Sequence, residues 1–107
     1  MNWNQLTEVS ELDHLLELSK KQKVAILKHS TRCSISSMAL NRLERAWKED
    51  NGVAPYYLDL IKHRDVSNAI ASKFGVEHQS PQVIVLENGK VTYTGSHMGI
   101  SYADIVA

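Results

Sequence analysis

Only one side chain in this sequence offers a soft nucleophile, and the residues around it are of the types that would activate one. Cys33 is the single cysteine among 107 residues. It stands in the stretch Lys28-His29-Ser30-Thr31-Arg32-Cys33-Ser34-Ile35-Ser36-Ser37, after the apolar run Val24-Ala25-Ile26-Leu27 and before a segment of helical periodicity. A free cysteine is most often a small buried hydrophobe. A sulfur at a helix start is different, because the unsatisfied N–H groups and the positive end of the helix dipole stabilise a thiolate there. Arg32 adds a neighbouring cation, and Ser36 follows one helical turn on, where its hydroxyl or amide could donate to the sulfur. The thiolate is the form that attacks disulfides.

A second feature points to the same chemistry. Pro81 opens the run Gln82-Val83-Ile84-Val85-Leu86. Proline is tolerated at the first position of a strand, and an X-Pro bond can also be cis. A cis bond at Ser80-Pro81 would leave the Ser80 backbone exposed beside the sulfur, able to pair with an extended substrate.

Other candidate chemistry is weaker. The five histidines (His14, His29, His63, His78 and His97) show no metal-ligand spacing, so no metal site is expected. His29 and His78 flank the two segments of interest and could tune Cys33. His63-Arg64-Asp65 matches the start of a kinase catalytic loop, but the chain has no Gly-rich loop and is far too short for a kinase. A cysteine-protease reading would need His78 or His97 as base and an orienting partner, and nothing else supports it. Trp3 and Trp47 read as packing residues.

The elements that must position Cys33 follow from periodicity. Residues 8–20 place Val9, Leu12, Leu15 and Leu16 on one helical stripe, and residues 24–29 read as a buried strand that turns polar at its end. After Cys33, Ile35, Met38, Ala39, Leu43, Ala46 and Trp47 predict a long amphipathic helix stopped by Asp50-Asn51-Gly52. Residues 54–60 alternate as a strand, and Asp65 is placed to cap a helix with the stripe Val66, Ala69, Ile70 and Phe74, closed by Gly75. Asn88-Gly89 between two strand-like runs, 82–86 and 91–94, signals a hairpin with a type I′ turn. Ser101 to Asp104 has the S-x-x-D form of a helix start. The predicted order is α-β-α-β-α-β-β-α: a four-stranded mixed sheet flanked by helices, the arrangement of thioredoxin-like α/β domains.

Composition narrows the function classes. Twelve basic residues balance twelve acidic ones with no block of like charge, which argues against a nucleic-acid stripe or a polybasic membrane patch. The longest aliphatic stretches are four residues, too short to span a bilayer, and Met1–Leu12 lacks the pattern of a signal peptide. No repeat or linker interrupts residues 1–107, so one domain is expected. A lone cysteine excludes an internal disulfide and suits a cytoplasmic location, where thiols stay reduced.

The motif Thr31-Arg32-Cys33-Ser34-Ile35-Ser36, the preceding Leu27-Lys28-His29-Ser30 and the later Glu77-His78-Gln79-Ser80-Pro81-Gln82 closely resemble the monothiol bacilliredoxin family. Its members are small thioredoxin-like proteins of low-G+C Gram-positive bacteria. The resemblance implies a thiol–disulfide oxidoreductase that removes bacillithiol from S-bacillithiolated proteins through a Cys33 mixed disulfide. It implies no bound cofactor, bacillithiol as co-substrate, and a separate bacillithiol disulfide reductase for recycling. Cys33 is then the catalytic residue, with Arg32, Ser34 and Ser36 stabilising its thiolate. Thr31, Ser80, Pro81, Gly95 and Ser96 are the candidate substrate-binding residues. Because bacillithiol carries a malate group, an anion site is expected at Arg32, at the Ser80 backbone or at the helix start near Ser101. The segment Gly95-Ser96-His97-Met98-Gly99 could leave backbone accessible near the sulfur.

The chain departs from its relatives at Ser34, where they generally have proline. A serine there should loosen the helix start, add a hydroxyl and alter redox preference. Two other functions compete. One is an iron–sulfur carrier of the monothiol-glutaredoxin kind, whose usual glycine and phenylalanine after the cysteine are replaced here by Ser34 and Ile35. The other is a redox-inert binding module that kept the fold.

Overall fold

The computed structural model describes all of residues 1–107. Its elements run β1 (Asn4–Gln5), α1 (Glu11–Leu18), β2 (Lys23–His29), α2 (Ser34–Ala46), β3 (Val53–Asp59), α3 (Arg64–Phe74), β4 (Gln82–Glu87), β5 (Lys90–Ser96), a 3-10 turn at His97–Gly99, and α4 (Tyr102–Val106). The sheet order is β1-β3-β2-β4-β5. β3 runs parallel to both β1 and β2, whereas β4 is antiparallel to β2 and to β5. The α/β thioredoxin-like class stands, with five strands in place of the four expected. β1 escaped detection because two exposed residues carry no alternation to read.

The two aliphatic runs form the centre of this sheet. Val24, Ile26, Ile84 and Leu86 face one cluster with Leu12 and Leu15 of α1 and Val66 and Ile70 of α3. Ala25, Leu27, Val83 and Val85 face the other, with Ala39 and Leu43 of α2 and Ile105 of α4. Strands covered on both faces need apolar residues at every position, which is why β2 and β4 read as unbroken runs. The hairpin is as expected, with Asn88 and Gly89 both at positive φ, as a type I′ turn requires.

Four local expectations change. α2 ends at Ala46, before Asp50-Asn51-Gly52, because Trp47 turns to an extended conformation and packs against Trp3 and Tyr102. Asn51 instead serves the entry to β3, its Oδ1 accepting from the Val53 amide at 2.9 Å. α3 starts two residues earlier than a cap at Asp65 would allow, with His63 as its cap residue and Asp65 inside the first turn. α1 is shorter than residues 8–20, which leaves Val9 on the surface. The buried stripe of α2 is Ser36, Ala39 and Leu43, so Ile35 and Met38 point outward, 42% and 56% exposed.

Candidate active site

β2 ends and β4 begins at the same end of the sheet, and the two segments singled out in the sequence leave from there. Lys28 pairs with Gln82, so His29 and Pro81 lie level with each other, one position beyond the last pair. The chain leaving β2 turns tightly, with the Cys33 amide donating to the Ser30 carbonyl at 3.2 Å. Cys33 is then the cap residue of α2, in extended conformation, a free and half-buried thiol. Its carbonyl accepts from the Ser37 amide at 3.1 Å, which starts the helix. The amides of Ser34, Ile35 and Ser36 therefore belong to the turn whose donors have no partner within the helix. Thr31, Arg32 and Ser34 are all exposed around this turn, and Arg32 forms no ion pair.

The Ser36 hydroxyl has two partners on the β2 side of the turn. Ser36 is fully buried, and its hydroxyl oxygen accepts from the Ser30 amide at 3.0 Å while lying 2.7 Å from His29 Nδ1. A hydroxyl has one proton, which goes to a neutral imidazole whose own proton sits on Nε2. Burial pushes His29 below the ordinary histidine range, against the opposing pull of Asp59 and Glu44, which favours that neutral form. The Ser36 hydroxyl thus ties the Cys33 turn to β2.

The second segment lies opposite. The Ser80-Pro81 peptide bond is cis. The Pro81 carbonyl accepts from the His97 amide at 3.0 Å, whereas the backbone of Ser80 makes no intrachain hydrogen bond. Behind it, Gln82 Nε2 donates to the Glu77 carbonyl at 3.0 Å and Gln82 Oε1 accepts from the Gln79 amide at 3.4 Å.

Gly95 and Ser96 lie in β5, paired with Val83 and Gln82. They line a groove of about 430 Å³ with Gln79 and Gln82, and Cys33 is not part of it. A Cβ at Gly95 would run into the Tyr93 hydroxyl, so this glycine makes room for Tyr93, which donates to the Gly99 carbonyl at 3.4 Å. The helix start near Ser101 is not an open anion site. Ser101 Oγ already accepts from the Asp104 amide, and the Asp104 carboxylate adds negative charge to the same turn.

One residue of this region was overlooked in the sequence. Lys28 is fully buried, and its ammonium donates to the Ser67 carbonyl at 3.2 Å and lies 3.3 Å from His78 Nδ1. Its parity with Val24 and Ile26 was the available signal, since alternate residues of a strand share a face.

The arrangement supports thiol–disulfide exchange with one sulfur. Cys33 can form a mixed disulfide, and no second thiol in the chain can resolve it. Comparisons with known proteins agree. A solved structure described as a candidate oxidoreductase with a thioredoxin fold is 31% identical, covering 94% of this chain and 88% of that one, with a TM-score of 0.82. Oxidised thioredoxin from Plasmodium falciparum (15% identity, 98% and 95% covered, TM-score 0.73) shares the fold. So does the Malassezia sympodialis thioredoxin Mala s 13 (16% identity, 89% and 78% covered, TM-score 0.70). The family model for monothiol bacilliredoxin BrxC matches residues 4–105, and the chain therefore belongs to the monothiol bacilliredoxin family of thiol-redox proteins.

Proposed function

We propose that the protein removes bacillithiol from protein cysteines in the cytoplasm by a single-thiol route. The observation that carries this reading is the pairing of a half-buried Cys33 at a helix start with a buried Ser36 whose hydroxyl is already committed to His29 and Ser30.

The Cys33 thiolate attacks the bacillithiol sulfur of a protein–bacillithiol mixed disulfide. That S–S bond breaks, the client cysteine leaves as a thiolate and takes up a proton, and a Cys33–bacillithiol disulfide forms. A second bacillithiol thiolate then attacks the bound bacillithiol sulfur, which frees Cys33 and yields symmetrical bacillithiol disulfide. A separate reductase returns that disulfide to two thiols, so the protein itself ends unchanged and holds no resident cofactor.

Three exposed apolar side chains support a protein as the substrate. Ile35 and Met38 lie on the first turns of α2 after Cys33, and Met98 (62% exposed) lies on the 3-10 turn that α2 packs against, so apolar surface is exposed on the elements next to the Cys33 turn. Such a surface suits a polypeptide better than a small polar thiol. The unpaired Ser80 backbone offers that polypeptide a main-chain partner. Arg32 is the one exposed cation adjoining Cys33 in sequence and the candidate for the malate carboxylates.

Intact mass after exposure to bacillithiol disulfide, and separately to glutathione disulfide, tests the reading. It predicts one bacillithiol adduct, absent from Cys33→Ser, removed by added bacillithiol and formed faster than the glutathione adduct. Equal rates with the two disulfides would reject bacillithiol as the preferred thiol.

A further inference from the structure

Alternation along β2 carries Lys28 to the same face as Val24 and Ile26, at the end nearest Ser80 and Pro81. A fully buried ammonium is costly unless its charge is compensated. No carboxylate compensates this one: Lys28 takes part in no ion pair. Its partners are the Ser67 carbonyl of α3 at 3.2 Å and His78 Nδ1 at 3.3 Å, and Ser67 Oγ also lies 3.5 Å from that ring nitrogen. Directly across the β2–β4 pair, Gln82 holds the Glu77 carbonyl and the Gln79 amide. The segment Glu77–Gln79 is therefore fixed at three successive residues by two strand side chains, and Ser80 follows immediately.

We propose that Lys28 and His78 are positioning residues that share one proton, and that this pairing holds residues 77–79 so that Ser80 and Pro81 are presented to the substrate of Cys33. This inference rests on the reading above for what the site acts upon.

The pairing works only while His78 is neutral. Its Nδ1 accepts from the Lys28 ammonium, so the ring proton sits on Nε2. The charged groups facing His78 are Lys28 from β2 and Arg64 from α3, both cations, while Gln82 from β4 is neutral. Burial, Lys28 and Arg64 all push His78 below the ordinary histidine value, and burial pushes Lys28 down to about 8. At neutral pH the pair carries a single shared charge. Acid adds a second proton, removes the acceptor and places two cations side by side, which releases residues 77–79.

A purely space-filling Lys28 would leave His78 titrating as before when Lys28 is replaced. The test follows His78 by NMR through an acid titration in wild type and in Lys28→Met. The expected result is a midpoint that rises in the variant, with the Gln79 and Ser80 amide signals moving at the His78 midpoint in wild type and already displaced toward their acid positions at neutral pH in Lys28→Met. Rates are read in parallel with an aromatic disulfide reagent, which needs only the sulfur, and with a bacillithiolated protein. Because small misplacements at a reacting centre are expensive, the ratio of protein to reagent rates should fall about tenfold between about pH 7 and about pH 5. His78→Asn, which keeps an acceptor but cannot titrate, should hold that ratio flat. An unchanged His78 midpoint in Lys28→Met, or Ser80 signals that ignore it, would overturn the proposal. Failure of the wild type to act on any bacillithiolated protein would reject the functional reading alone, since the NMR result stands apart from activity.

Discussion

β2 has two halves that are equally buried and chemically opposite. Val24, Ala25, Ile26 and Leu27 pack into the two apolar clusters, whereas Lys28 and His29 are as deeply enclosed yet reach polar partners on other segments. The first half contributes burial energy. The second contributes two tethers, one on each face of the sheet: His29 to Ser36 and the Cys33 turn, Lys28 to His78 and the segment before Ser80. A strand that ends this way lets one rigid element set the position of both walls of the site, at the cost of charge and hydrogen-bonding groups in the core.

Truncation in the dry half should break stability alone. Ile26→Ala removes a fully buried side chain, with an expected loss of about 2–5 kcal/mol in urea unfolding. The reaction rate of the fraction that remains folded should not change. In the polar half, Ser36→Ala leaves His29 Nδ1 and the Ser30 amide without a partner, an expected loss of about 1–3 kcal/mol. Here the rate of Cys33 with disulfides should change as well, because the tether ends in the Cys33 turn. A rate equal to wild type would separate Ser36 from the site.

Acid provides a milder probe of the same contrast. His29 and His78 both lie below the ordinary value of 6.5 in the folded chain, so the unfolded chain takes up protons first as pH falls. Stability should therefore decline as pH drops through about 6.5 and level off below the folded values. The decline should shrink in His78→Asn and persist unchanged in Ile26→Ala. The smallest expected effect is at Gly95→Ala, where displacing Tyr93 from the Gly99 carbonyl should cost about 0.5–1.5 kcal/mol and leave Cys33 reactivity intact.

The same contrast explains what could be read from the sequence. Periodicity reports apolar residues, so the dry runs 24–27 and 83–86 and the Asn88-Gly89 turn were legible, and with them most of the sheet. It misplaced the α2 stripe because this helix reverses the usual rule near its start, burying Ser36 and exposing Ile35 and Met38. Cys33 and Pro81 were legible as motif residues. The real partner of Ser36 was not, since His29 comes into reach only when β2 and α2 fold against each other. Lys28 was hidden by its charge, although its parity in β2 pointed inward. Gly95 looked like open backbone near the sulfur, but its role depends on Tyr93, two positions along β5 on the same side of the strand.

Central to this account is that one sulfur reacts and an outside thiol must finish the reaction. The direct measurement is a single-turnover mixture of reduced protein and a bacillithiolated client, followed by intact mass before and after bacillithiol is added. The account predicts free client together with a bacillithiol adduct on Cys33 that persists until bacillithiol arrives and then disappears. Client release without a Cys33 adduct, or release that continues in Cys33→Ser, would contradict it.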